Sequence, residues 1–173
     1  MASASRWARR HMVSIMNEAL QLEVGQKVLE VGAGSGWHSA TIAEIVAPGD
    51  APRSGWGCVF TVEIVQALAE NARKNIMNAG YSDRVKIVNA DGSKGYPEKA
   101  PYDRIVVTAA APTVPEPLIE QLKPNGILLI PVGSVSWFQN LIRITKRLDG
   151  KTKEENLGGV AFVPLTGEYG QKF

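Results

Sequence analysis

The sequence predicts an α/β fold: a doubly wound, mostly parallel sheet with helices on both faces and an antiparallel edge near the C-terminus. Short, almost entirely apolar strands alternate with helical segments four or five times along the chain. Strands that are apolar on both faces are typical of a parallel sheet covered by helices. Two late strands follow each other with no helix between them, which indicates the antiparallel edge.

The first half of the chain supplies three strands and three helices. Apolar residues at helical spacing predict a helix over 11–22, and a second helix is expected over 36–46. Strands are predicted over 27–31, 58–62 and 85–88, and the Pro/Gly-rich segment 47–57 is predicted to be a loop. Ile64, Leu68, Ala72 and Ile76 recur every four residues, which predicts a third helix that ends near Gly80.

The second half continues the alternation. Strands are expected over 103–108 and 127–132, with a short helix over 115–122 between them. Late strands are expected over 138–146 and 158–163, joined by the polar stretch 148–158. We interpret residues 1–173 as one domain: an irregular or non-native N-terminus over 1–10, a core over 11–133 and C-terminal strands over 134–173.

Composition excludes several classes of protein. The net charge of +2 gives no electrostatic reason to bind nucleic acid or an anionic membrane. No apolar run approaches the length of a membrane span, and the first residues do not resemble a secretory signal. We expect a cytoplasmic monomer without a metal site.

The turn after the first strand indicates which ligand the sheet holds. Gly32, Gly34 and Gly36 form G-x-G-x-G, whereas a dinucleotide turn would need glycine at position 37, which is Trp37. Glu30 ends the preceding strand, and its carboxylate would oppose a pyrophosphate but favour a ligand with ammonium and sulfonium groups. S-adenosylmethionine has both groups, and the glycines allow close approach of the backbone to it.

Acidic residues at the next two strand ends agree with this interpretation. Glu63 is placed to accept the ribose hydroxyls, and Asp91 to accept from the adenine amino group, with Gly92 beside the base. Together with Glu30 they predict a class I S-adenosylmethionine-dependent methyltransferase with a Rossmann-like fold. Such an enzyme converts the cofactor to S-adenosylhomocysteine. The predicted cofactor-binding set is Glu30, Gly32, Ala33, Gly34, Ser35, Glu63, Ile64, Asp91, Gly92 and Thr108.

Longer stretches resemble the protein-L-isoaspartate (D-aspartate) O-methyltransferase family. They are "VLEVGAGSGWHSA", "NADGSKGYPEKAPYD", "PYDRIVVTAAAPTVPEPLIEQLKPNGILLIPVG" and "FVPLTG". The resemblance implies protein repair: a methyl group passes to the α-carboxyl of an L-isoaspartyl residue, and the ester closes to a succinimide that can reopen as aspartate. The implied partners are damaged proteins and peptides that contain isoaspartate.

The resemblance also implies roles for particular residues. Thr108, Ala109 and His11 are the implied catalytic residues, with Thr108 able to donate to the acceptor carboxylate. The implied substrate-binding residues are His11, Ala110, Val163 and Leu165. No general base is expected, because the acceptor carboxylate is already ionised at neutral pH. His38 is therefore predicted to be a surface residue at a helix start.

The N-terminus departs from the family, whose members generally have several dozen residues before the motif that ends at His11. Here ten residues precede it, with Ala8 and Arg10 where the family has Ser and Pro. We therefore expect an N-terminally shortened member, through a start-site error, truncation or divergence, that binds cofactor but methylates isoaspartyl peptides poorly. The alternatives are a cofactor-binding homologue without activity and a methyltransferase of a small molecule or RNA. A nicotinamide oxidoreductase is disfavoured by the glycine spacing.

Overall fold

A seven-stranded sheet organises the chain in the computed structural model, which describes residues 2–134 and 138–172, with side chains from residue 11 onward. The helices are α1 (Ala2–Leu20), α2 (Trp37–Val46), α3 (Gln66–Asn78) and α4 (Glu116–Glu120). The strands are β1 (Lys27–Val31), β2 (Cys58–Glu63), β3 (Val85–Asn89), β4 (Tyr102–Val107), β5 (Leu122–Gly133), β6 (Gln139–Lys146) and β7 (Thr152–Val160). The strand order is β3-β2-β1-β4-β5-β6-β7. The first five strands are parallel and the last two are antiparallel, which confirms the predicted fold class.

An apolar layer covers each face of the sheet, so the central strands are buried on both faces. Side chains of α1, α2 and α3, among them Leu20, Ile42 and Ile76, pack on one face. Leu118 of α4 and Leu165 of the C-terminal segment pack on the other face. Helices therefore lie on both sides, as a doubly wound sheet requires. Within the described ranges, no helix is long and apolar enough to span a membrane.

The first helix begins earlier than expected. Helix α1 starts at Ala2, so the prediction of irregular chain over 1–10 is wrong for residues 2–10, while Met1 lies outside the described residues. The stretch 2–10 contains alanine and arginine, which favour helix, and neither proline nor glycine to stop it. The predicted end at residue 22 is also late, because the helix ends at Leu20.

The apolar repeat predicted as a third helix lies only partly on the buried face of α3, which ends at Asn78, close to the predicted end near Gly80. Ala72 and Ile76 are buried together with Ala69, but Leu68 is 44% exposed. Ile64, 42% exposed, precedes the helix, which begins at Gln66. A repeat of four residues drifts around a helix that has 3.6 residues per turn, so its early members leave the core face.

The C-terminal edge contains more strand than the sequence suggested. The polar segment predicted as a connection forms most of β7, which pairs with β6 around the turn at Asp149–Gly150. The strand is exposed along nearly its whole length, so no hydrophobic alternation marks it. The Asp-Gly pair was the available signal for a hairpin. Residues 161–163, predicted as strand, leave the sheet and cross the carboxyl ends of the parallel strands.

Candidate active site

The candidate site lies where the strand order reverses, between β1 and β4. Chain segments leave these neighbouring strands toward opposite faces, which opens a crevice at their carboxyl ends. Two adjoining clefts occupy it, of about 370 Å³ and about 540 Å³, here called the first and the second cleft. Gly32, Gly34, Thr108 and Val163 line both clefts. Ligand pockets commonly have volumes of this order.

The glycine turn brings backbone and Thr108 close together. Gly32 has φ +97°, and a Cβ there would stand 2.3 Å from Thr108 Oγ1. That hydroxyl lies 2.8 Å from the Gly32 carbonyl oxygen and 3.0 Å from that of Val31. A hydroxyl has one proton, so Thr108 donates it to this turn. Its predicted donation to an acceptor carboxylate stays a prediction, and would require the hydroxyl to rotate away from the backbone.

Gly34 opens the floor of both clefts. Its φ is +52°, and a Cβ at this position would meet no atom within 4 Å. A side chain there would project into space that a ligand could use. Ala33 and Ser35, also predicted to bind cofactor, line the second cleft.

Glu63 presents a carboxylate to the first cleft. The residue is 7% exposed, and its two oxygens accept from the backbone N–H groups of Gly34 (3.3 Å) and Val65 (3.0 Å). These bonds hold the carboxylate at the cleft wall, where its remaining lone pairs can accept from vicinal hydroxyl groups. Ile64 and Leu68 line the same cleft. Leu68 is partly exposed because it lines this cleft, which the periodicity alone did not indicate.

Gly92 and Asp91 differ in where the structure places them. Gly92 lines the first cleft, where a Cβ would stand 2.7 Å from Val31 Cγ1. Asp91 lines neither cleft. One of its oxygens accepts from the backbone and hydroxyl of Ser93, at 2.9 and 2.6 Å, and the other from the backbone N–H of Glu168 at 2.9 Å. In this arrangement the carboxylate of Asp91 holds the C-terminal segment, and its predicted contact with the adenine stays a prediction.

We expect Asp91 to stabilise the fold above pH 4 and to lose this effect in acid. Burial by itself raises the pKa of Asp91, but hydrogen bonds from Ser93 and Glu168, with Lys94 nearby, hold it below its usual value. A lowered folded-state pKa gives stability that is present above the unfolded-state value and lost as the pH falls through the folded-state pKa. The Asp91→Asn variant should lack about 1 kcal/mol of this stabilisation at pH 6.

Urea titrations of both proteins between pH 2 and pH 6 measure this difference. The difference in free energy of unfolding between wild type and Asp91→Asn should become smaller as the pH falls. Asp103, whose pKa is also lowered, is present in both proteins and cancels in the comparison. A gap that stays constant over the whole range would remove Asp91 as its source.

A buried polar cluster borders the second cleft. Glu30 is fully buried, accepts a hydrogen bond from the Ser39 hydroxyl and lies 3.3 Å from His38 Nδ1. His38 is only 7% exposed, so the prediction that it is a surface residue is wrong. Both His38 and Ser39, in the first turn of α2, contact this carboxylate at the end of β1.

The predicted acceptor residues are only partly brought together. Ala109 lines the first cleft, but Ala110 is fully buried and lines neither. Its backbone pairs with the C-terminal segment: the Ala110 N–H donates to the Val163 carbonyl at 2.8 Å, and its carbonyl accepts from Leu165 N–H at 2.9 Å. Leu165 lines the first cleft, and Val163 is 69% exposed at the rim. His11 is exposed and does not line either cleft.

Other residues of the site were not predicted. The second cleft is walled largely by apolar side chains of α1 and of the segment after β7, namely Met12, Val13, Met16, Ala161 and Phe162. Trp37 lines it as well. Pro164 and Thr166 line the first cleft. Apart from Trp37, these residues come from the first helix and from the segment after β7, where no strand-end rule applies.

Comparison with known proteins agrees with the topology and the glycine turn. A model of the family "Protein-L-isoaspartate(D-aspartate) O-methyltransferase (PCMT)" matches residues 2–170. A protein-L-isoaspartate O-methyltransferase of Hyperthermus butylicus is 56% identical over 160 residues, covering 92% of this chain and 66% of the relative. A solved protein-L-isoaspartate O-methyltransferase superposes with a TM-score of 0.81 at 29% identity, over 92% of this chain and 48% of the other.

A Plasmodium falciparum protein-L-isoaspartate O-methyltransferase was solved in complex with S-adenosyl-L-homocysteine. It superposes with a TM-score of 0.77 at 27% identity, over 90% of this chain and 73% of that one. The fold and the crevice are those of the class I S-adenosylmethionine-dependent methyltransferases. Within that class, the chain belongs to the protein-L-isoaspartate (D-aspartate) O-methyltransferase family. It spans about two thirds of the length of the Hyperthermus relative.

Proposed function

We propose that this protein transfers a methyl group from S-adenosylmethionine to the α-carboxyl of L-isoaspartyl residues in damaged proteins. Family membership indicates the reaction, and the glycine turn facing the Glu63 carboxylate is the observation that supports it in the structure. The natural acceptors would be peptides and proteins that contain isoaspartate. We further propose that the protein acts as a cytoplasmic monomer.

The two clefts fit the parts of an elongated nucleoside cofactor. Glu63 would accept the ribose hydroxyls, while Ile64 and Leu68 offer apolar contact to the base beside Gly92. The amino-acid end would extend over Gly34 into the second cleft, beside Ala33 and Ser35. When bound, the cofactor supplies an electrophilic methyl group on a sulfonium. We propose this position for the amino-acid end because a Cβ at Gly34 would enter open space.

The residues of this chain have to bind, orient and exclude water, and no proton transfer is required of them. The acceptor carboxylate is ionised at neutral pH and is already a nucleophile. Thr108 and Ala109 lie at the end of β4, and Val163 crosses above them from the C-terminal segment. Correct alignment in such a site supplies much of the rate, and misplacement by about 1 Å can cost on the order of a hundredfold.

The function is tested with radiolabelled S-adenosylmethionine and two peptides that differ only in having L-isoaspartate or L-aspartate at one position. We expect base-labile label in the isoaspartyl peptide alone. Equal label in both peptides would overturn the assigned acceptor. Intact binding of S-adenosylhomocysteine with no label in either peptide would overturn the proposed activity for this chain and leave a cofactor-binding protein.

A further inference from the structure

The polar cluster under the second cleft joins two parts of the molecule that are distant in sequence. Glu30 and Ser39 are fully buried, and His38 nearly so. Asn17, on α1, lies with its Oδ1 2.9 Å from His38 Nε2. Buried polar groups are costly unless they are paired, so a cluster of this kind needs each contact it makes.

The hydrogen bonds fix which atom donates on the α1 side. The Thr41 hydroxyl donates its one proton to the His38 carbonyl at 2.8 Å, so it can only accept from Asn17 Nδ2 at 3.3 Å. The amide of Asn17 is thereby oriented with Oδ1 toward the imidazole. His38 Nε2 must therefore carry a proton and donate it to Asn17.

The other ring nitrogen faces the carboxylate of Glu30. His38 Nδ1 and Glu30 Oε1 are 3.3 Å apart, an ion-pair distance, and neither atom has an aligned hydrogen-bond partner in the described part of the chain. Glu30 Oε2 is occupied by the Ser39 hydroxyl. At this distance the imidazole and the carboxylate are in direct contact, so each side chain limits where the other can lie. His38 thus holds Glu30 on one side and Asn17 on the other.

The cluster connects the two walls of the second cleft. Glu30 stands two residues before Gly32, at the base of the glycine turn, whereas Asn17 belongs to the helix that supplies Met12 and Met16 to the opposite wall. We propose that His38 is a positioning residue that locks α1 to the glycine turn through Asn17 and Glu30, and so sets the affinity for the cofactor. This inference rests on the proposed function only in taking an S-adenosyl compound as the ligand of the turn.

The coupling is measured by titration calorimetry with S-adenosylhomocysteine on Asn17→Ala, His38→Ala and the double variant. Asn17 lines neither cleft, so its substitution can act on the ligand only through the cluster. We expect about tenfold weaker binding in each single variant, and no further loss in the double variant relative to His38→Ala. The exposed neighbour Glu18→Ala, on the same helix, is the matched control and should bind as wild type does.

Thermal unfolding of each variant separates positioning from a merely structural role. If folded Asn17→Ala and His38→Ala bind S-adenosylhomocysteine as tightly as wild type, or if their losses add independently, the proposal is wrong. If His38→Ala does not fold, the comparison of Asn17→Ala with Glu18→Ala decides in the same way. Nitrogen NMR of the imidazole should show Nε2 protonated and Nδ1 changing its signal in Glu30→Gln. A ring protonated at Nδ1 alone would contradict the hydrogen-bond assignment.

These measurements need no acceptor peptide. Failure of the isoaspartyl assay with the expected coupling intact would count against the proposed function and not against the role of His38. Label transfer to the isoaspartyl peptide, together with affinity losses at Asn17 and His38 that add independently, would count against the role of His38 and not against the proposed function.

Discussion

Replacing Glu63 by alanine should weaken binding of S-adenosylhomocysteine by about ten- to a hundredfold. Hydrogen bonds to a charged acceptor contribute roughly 1.5–3 kcal/mol, and here the ribose hydroxyls would lose such an acceptor. The same carboxylate also fixes the backbone at Gly34 and Val65, so the glycine turn would lose a support as well. Calorimetry on the purified variant gives the dissociation constant directly.

Glu70→Ala is the matched control for this variant. Glu70 lies on α3, is exposed and accepts from Gln66 on the same helix, so its loss should leave ligand binding unchanged. The unfolding midpoint of each variant shows whether the fold is intact. A folded Glu63→Ala protein with wild-type affinity would exclude Glu63 from the ligand site.

Two neighbouring glycines should respond to alanine in different ways. At Gly32 a Cβ would stand 2.3 Å from Thr108 Oγ1 with φ at +97°, so Gly32→Ala should lower the free energy of unfolding by about 2–4 kcal/mol. At Gly34 the Cβ meets nothing and φ is +52°, in the left-handed region, so Gly34→Ala should cost only about 1 kcal/mol of stability. Its methyl group enters the clefts and should instead weaken S-adenosylhomocysteine binding by at least about tenfold.

Denaturant titration and calorimetry on both variants test this contrast. Gly32→Ala combined with Thr108→Ala, which removes the clashing hydroxyl, should be more stable than the sum of the two single losses predicts, because the clash is gone while the strain at φ +97° and the lost Thr108 hydrogen bond remain. Equal stability losses at the two positions would show that the contact with Thr108 is not the cause. Wild-type affinity in Gly34→Ala would show that the ligand does not pass over this glycine.

Much of the fold could be predicted because the central strands are apolar on both faces and end in glycine or acidic residues. The bounds of β1 follow directly from this pattern. The exposed strand β7 has no such pattern, since an edge strand with both faces toward solvent is under no pressure to alternate. In α3 the apolar repeat does not coincide with the buried face, because Leu68 is apolar for a different reason: it lines a cleft.

Site residues could be predicted where they lie at or just after the end of a parallel strand, because the end of the strand fixes their position. Glu63 and Gly92 line the first cleft, as that rule implies. Asp91 shows its limit, because a strand-end carboxylate can turn to any nearby N–H group, and here a distant part of the chain supplies one. His38 could not be placed from sequence, since its ring lies between Glu30 on β1 and Asn17, which is twenty-one residues away on another helix.

The pairing of Ala110 with the segment at 163–165 has a consequence for biosynthesis. This segment leaves the ribosome only after all seven strands, yet Val163 and Leu165 complete the wall of the first cleft, and Gln171 Nε2 ties it to the Gly133 carbonyl at 2.7 Å. A nascent chain can therefore form its sheet before it has a finished binding site. The full stabilising effect of S-adenosylmethionine then requires that residues 163–171 have emerged from the ribosome and docked on the sheet.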